Sequence, residues 1–316
     1  MLRWHPPTMS AASIESKQFL IVTGKGGVGK TTVCAAMAVH LASKGKRVLI
    51  AMCNAKERLS AMLGSELIGT DVKNVAQNVW AVNMTPDSAL EEYGMLALKS
   101  KTLFTLLFDN KYVRVFFRAV PGIQEWAMLG KAWWHTTELD DRGKLAFDVV
   151  LLDAPATGHG LDMLRVPKVI VDVVPPGLLR RDAETAWKMF QDPKKCGVVL
   201  VTLPEEMPAQ ETIELADALT NELKLPIAKI VVNGVIPPLF SKEERTSLEA
   251  LPETAPGEDA GQAALLAARA RATRERVQSE SLARLNRDLP IAPSYFPLLF
   301  EDAAHPRAIQ ELAKRL

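Results

Sequence analysis

The chain has 316 residues, with 38 basic and 37 acidic side chains and a mean hydropathy of +0.04. That length suits one large α/β domain, or one domain with a helical insertion. Balanced charge gives no general case for nucleic acid or a membrane surface, and no apolar run approaches the roughly 18 residues of a transmembrane helix.

Met1 to Lys17 carries Trp4, His5 and Pro6-Pro7 without an apolar signal region, and reads as a flexible N-terminal extension (1–17). Cys34, Cys53 and Cys196 are scattered, with no CxxC pair, so neither a disulfide framework nor a zinc clasp is expected and a cytoplasmic location fits. Phe19 to Val22 is a short apolar run with strand character. It delivers Gly24-Lys25-Gly26-Gly27-Val28-Gly29-Lys30-Thr31-Thr32, and a helical stretch follows with Val33, Met37 and Leu41 on one face. Strand, glycine loop and helix in that order form a phosphate-binding loop. Glycines let successive backbone N–H groups turn towards one anion, and the helix presents its positive N-terminal end to the same point. Gly26, Gly27, Val28, Gly29 and Thr32 are read as the nucleotide cradle, Lys30 as the β/γ-phosphate contact, and Thr31 as a ligand of Mg²⁺. A plain glycine-rich turn explains neither the lysine nor the threonine at these spacings.

Lys44-Gly45-Lys46 reads as the helix stop, with Gly45 suited to the left-handed cap. Arg47 to Met52 is a second buried strand, and Cys53 to Ser60 leaves its C-terminal end, where α/β folds place ligand loops. Val79 to Val82 is a further strand, and Pro86 opens a helical region. Nine of the chain's aromatics fall between Tyr93 and Trp134, among them Trp126, Trp133 and Trp134 at helical spacing with Gly130. These helices either pack on the sheet or form a groove for an apolar client. Phe147 to Leu152 returns to strand character and ends at Asp153, the expected acidic member of the Mg²⁺ shell. Further on come a strand over Gly197 to Thr202, a helix from about Met207 to Leu223, and a strand from Ala228 to Val232 ending at Asn233-Gly234. The 241–287 segment is charged and helical, with a mobile link expected over Pro252 to Gly261 and a solvated helix over Ala263 to Val277. A last strand is placed near Leu289 to Ala292, and a helix over Pro306 to Leu316.

Lys25, a second lysine directly after the first glycine, resembles the signature lysine of the deviant phosphate-loop ATPases. Four stretches narrow the likeness. GKGGVGKTT (Gly24 to Thr32), PGIQE (Pro121 to Glu125), DAPATGHGLDML (Asp153 to Leu164), and LPEE (Leu203 to Glu206) with VVNGV (Val231 to Val235) resemble the anion-transporting ATPases, the family of the arsenite-pump ATPase and the targeting ATPase of tail-anchored proteins. The resemblance implies a mostly parallel, twisted α/β sheet flanked by helices, forming one ATPase domain over 18–316 with a helical insertion at about 87–140. It also implies ATP and Mg²⁺ as ligands, a homodimer or a heterodimer with a related ATPase closed through Lys25, and a protein client or membrane-protein partner. Asn233 falls on the adenine side, with Pro297, after Ser294-Tyr295-Phe296, as a ring neighbour. One departure is chemical. The family's first switch carries an aspartate where this chain has Asn54, and an amide can hold a water but cannot take its proton. Slow hydrolysis is expected, with Lys56 and Arg58, in the same loop, as alternative γ-phosphate contacts. An iron–sulfur ATPase lacks the required paired cysteines here.

Overall fold

The computed structural model describes residues 14–98, 122–155, 159–251, 260–299 and 304–316. An eight-stranded sheet runs through the middle: β1 (Phe19–Thr23), β2 (Val48–Cys53), β3 (Lys73–Ala76), β4 (Val79–Met84), β5 (Val149–Asp153), β6 (Cys196–Thr202), β7 (Ile227–Val235) and β8 (Ser294–Pro297). Their order across the sheet is β3-β4-β2-β5-β1-β6-β7-β8. All neighbours pair in parallel except β3 with β4 at one edge.

The helices are α1 (Lys30–Ser43), α2 (Leu59–Leu63), α3 (Pro86–Leu98), α4 (Ile123–Trp134), α5 (His159–Val173), α6 (Leu178–Gln191), α7 (Glu206–Asp217), α8 (Lys242–Glu249), α9 (Ala260–Asp288) and α10 (Pro306–Ala313). They cover both faces, which is why β1, β2, β5 and β6 are buried at every position and read as unbroken apolar runs. Phe19 and Ile21 meet Trp126 and Leu129 of α4, Met163 of α5 and Phe190 of α6 in one core layer. Leu20 and Val22 turn the other way, into a layer with Val33, Met37 and Leu41 of α1, Leu59 of α2 and Ile309 of α10. The buried Trp126 and half-buried Trp133 therefore belong to the packed layer, whereas Trp134 is partly exposed. The other aromatics of the 99–121 stretch lie outside the described residues.

Gly45 has φ 80°, and the bonds Lys46 N–H to Leu41 C=O (3.2 Å) and Gly45 N–H to Ala42 C=O (2.9 Å) close α1 in a Schellman motif. Several elements differ from the sequence expectation. A 3₁₀ turn at Ile14–Ser16 buries Ile14, and the Lys17 ammonium donates to the Pro193 carbonyl, so chain packing begins before residue 18. Strand β7 continues through Asn233 and Gly234 to Val235, with a register shift that Gly234 accommodates at φ 71°. The last strand is displaced from Leu289–Ala292 to Ser294–Pro297. Leu289 N–H still bonds the Leu285 carbonyl, and Pro290 and Pro293, which lack an N–H for ladder pairing, follow before β8 begins. Pro297 is thus the final residue of β8, paired with Val235, and not part of the loop beyond it.

Helix α9 is also less solvated than its composition suggests. Gln278 accepts from the Ile236 N–H (2.9 Å) and donates to the Ile236 carbonyl (2.8 Å). Glu275, 2% exposed, accepts from the Leu239 and Phe240 N–H groups and from Arg271. The helix holds the chain leaving β7. The expected link over Pro252 to Gly261 falls mostly on 252–259, outside the described residues. No helix among the described residues is long and apolar enough to cross a membrane.

Candidate functional site

Strand β1 ends at Thr23, and the loop that follows takes its shape from three glycines. Gly24, Gly27 and Gly29 have φ of 151°, 83° and 92°, a region that side chains rarely enter. Two of them also lack room: a Cβ on Gly24 would lie 2.1 Å from the Val201 carbonyl oxygen, and one on Gly29 would lie 2.2 Å from Asn233 Nδ2. The Lys30 ammonium folds back over the loop, donating to the carbonyls of Gly24 (3.1 Å) and Lys25 (3.0 Å). Burial lowers the Lys30 pKa, an effect that the charge of Asp153 opposes.

Strand β5 lies directly beside β1, with Asp153 in register with Val22. This pairing carries Asp153 to the loop, where the Thr31 hydroxyl donates to its Oδ2 at 2.6 Å. Asp153 is 4% exposed. Burial raises its pKa to about 6, while the Thr31 hydrogen bond, the Lys30 charge and Cys34 pull the other way. Buried Cys34 and Cys53 stay protonated because burial and the nearby Asp153 charge raise their pKa values; neither offers a surface thiolate for a cluster.

A cavity of about 500 Å³ opens at this place, lined by Gly27, Gly29, Lys30, Thr31, Thr32, Asn54 and Asp153 among others. Asn54 stands at the end of β2 in the left-handed region (φ 45°), where asparagine is tolerated, and its N–H bonds the Met84 carbonyl (2.7 Å). Cys53, Lys56 and Arg58 also face the cavity. The remaining sequence candidates do not line it. Val28 is buried beneath the loop, Gly26 lies on the exposed tip, and Pro297 sits on β8. Lys25 points away, in an ion pair with Glu211 of α7. Asn233 donates to the Val28 carbonyl (2.9 Å), bracing the loop from β7.

This donor set suits a nucleotide with a divalent cation. Three glycines at positive φ shape the loop, a lysine covers it, and a hydroxyl and a carboxylate meet at its helix end. Thr31 and Asp153 are the groups able to ligate Mg²⁺, whose role would be to neutralise phosphate charge.

The profile of the anion-transporting ATPases matches residues 17–175, which contain the loop, Asn54 and Asp153. The chain belongs to the anion-transporting ATPase family. Among its relatives is the ATPase BagA of Mycobacterium tuberculosis, 29% identical over 224 residues, covering 69% of this chain and 65% of that protein. The arsenical pump-driving ATPase of Escherichia coli is 28% identical over 251 residues, covering 73% of this chain and 41% of the pump ATPase. The ATPase ASNA1 homolog of Cryptosporidium parvum is 25% identical over 268 residues, covering 74% and 69% respectively. The matched region thus spans less than two thirds of the mycobacterial and bacterial relatives' lengths.

Asn83, Glu57 and Glu211 carried no motif. Asn83 comes to the site through β2–β4 pairing and Glu211 through the packing of α7, neither of which shows in local sequence.

Proposed function

We propose that this protein is an ATP-hydrolysing molecular switch that binds ATP·Mg²⁺ in the cavity and closes as a dimer, turning ATP and water into ADP and phosphate. The observation that carries the reading is the Thr31–Asp153 hydrogen bond beside Lys30, which assembles the metal and phosphate groups at one loop. Lys25 is the group assigned to the partner's nucleotide, and the Asn233 amide oxygen is assigned to the adenine edge. The expected partners are a second copy or a related ATPase, with a protein client or membrane-protein partner coupled through the helices around α3 and α4. Nucleic acid is not among them.

A second reading is supported by Asn54. With no carboxylate at that position to take a proton, the chain would be the weakly hydrolysing half of a heterodimer. Equilibrium titration with ATP·Mg²⁺ tests the common premise: Lys30→Ala removes a charged phosphate contact of about 1.5–3 kcal/mol, so affinity falls more than tenfold. Unchanged affinity would sink the assignment. Turnover by the purified native chain then separates switch from silent subunit.

A further inference from the structure

We propose that Lys56 and Arg58 form a cationic clamp for the terminal phosphate of a nucleoside triphosphate, set in place by Asn83 and left uncompensated by Glu57. The clamp rests on the nucleotide reading of the cavity.

The loop leaving β2 is fixed at its root. Asn83 of β4 uses both ends of its amide on Ala55, accepting from its N–H (3.1 Å) and donating to its carbonyl (2.9 Å). Beyond that anchor the side chains alternate. Asn54, Lys56 and Arg58 are exposed and line the cavity, whereas Glu57 is half-buried and turns back to the start of α2. There Glu57 accepts from the Ser60 N–H through one oxygen (2.8 Å) and from the Ser60 hydroxyl through the other (2.6 Å). The nearest acid in the chain is committed to a helix start. Among the described residues neither Lys56 nor Arg58 makes an ion pair. The cavity wall therefore carries Lys30, Lys56 and Arg58 against the single carboxylate of Asp153. Two like charges two residues apart repel unless one anion takes both.

Sheet order supplies the direction. The phosphate loop follows β1, Asp153 ends β5, and the cationic loop follows β2, so the metal groups stand between the glycine cradle and the clamp. The flanking strands are two spacings apart, roughly 10 Å, which long lysine and arginine side chains bridge. A chain of phosphates starting at the glycines and crossing the metal site reaches Lys56 and Arg58 with its last member. A diphosphate stops short. Arg58 brings a planar fork matched to two phosphate oxygens and Lys56 a mobile point charge. Neither accepts a proton, so the pair supplies charge and orientation and leaves Asn54 to hold the water.

The test compares affinities of the full chain for Mg²⁺·ADP and for a non-hydrolysable ATP analogue. Lys56→Ala and Arg58→Ala each lower analogue affinity about tenfold and leave ADP affinity within about threefold, and Arg58→Lys recovers part of the loss. Asn83→Ala produces the same selective loss, whereas general loosening of the fold would weaken both nucleotides. Parallel losses for ADP and the analogue, or no loss in either, overturn the clamp while leaving the nucleotide site standing. A native chain that binds neither nucleotide overturns the site reading, and the clamp with it.

Discussion

The side-chain amide of Asn233 on β7 holds the carbonyl of Val28, the buried residue of the phosphate loop, 2.9 Å away and across the intervening strand β6. Gly29 can lie against that amide only because it has no Cβ. Loop shape and the far side of the sheet are therefore joined by this hydrogen bond, and under the proposed function the amide oxygen meets a base. Asn233→Ala should weaken ATP binding by about 1–2 kcal/mol through loss of the brace, and should also narrow the preference for ATP over GTP. Competition titrations with both nucleotides check this. Equal losses would leave the brace and remove the base contact.

Lys25 and Glu211 are 42% and 38% exposed, and exposed pairs contribute about 0–1 kcal/mol, so the lysine is readily released to another anion. Lys25→Ala should keep nucleotide affinity within about threefold and abolish ATP-dependent dimerisation. Glu211→Gln should leave stability within about 0.5 kcal/mol and dimerisation intact or stronger. Sedimentation with a non-hydrolysable analogue reads both. Loss of binding as complete as in Lys30→Ala would place Lys25 in its own site.

Asp153 gives the nucleotide-free protein a definite pH signature. Its folded pKa of about 6 lies above the ordinary 3.8, because burial disfavours the carboxylate. Between those values the folded chain binds more protons than the unfolded chain, so this group's contribution to stability falls as pH rises from about 4 to about 6, and is level above. The size is on the order of 2–3 kcal/mol. Asp148, whose pKa its hydrogen bond with Arg47 lowers, works in the opposite direction, so the quantity to follow is the difference between native chain and Asp153→Asn. In urea melts with chelator, Asp153→Asn should gain on the native chain by that amount between pH 4 and 7. A pH-independent difference would return Asp153 to an ordinary pKa.

Asn54 occupies a left-handed position that aspartate also tolerates, so Asn54→Asp changes chemistry with little backbone strain. If a carboxylate there completes the site, kcat should rise by roughly 10²–10⁴-fold with little change in nucleotide affinity. Single-turnover rates decide it. A native rate already matched by Asn54→Asp would show that the amide does not limit hydrolysis.

Features that local chemistry fixes are legible in the sequence. The glycines, Lys30 and Thr31 announce themselves by spacing, and Asp153 by ending a run whose every residue is buried. Edge strands were harder. In β3 only Val75 is buried, too little pattern to separate a strand from a loop. The Leu289–Ala292 run imitated a strand because its apolar side chains cover the end of α9, with Leu289 and Ile291 packed on the core. The pairings Asn83–Ala55, Glu211–Lys25 and Asn233–Val28 stayed hidden for a different reason. Each joins segments brought together by the sheet, and an asparagine or glutamate looks the same in sequence whether it meets water or a carbonyl.

Strand order also governs how the protein comes into being. Phe19 pairs with Val150 on one side and Cys196 on the other, so the strand that carries the phosphate loop waits for both distant segments. Closing such long loops is entropically costly before any contact rewards it, and parallel sheets of this kind form slowly. During synthesis the apolar β1 has no neighbour until β5 has emerged and keeps an open edge until β6 follows, exposed to misassembly in the meantime. The nucleotide site is thus a late product of folding, and bound nucleotide reports that the central sheet has closed.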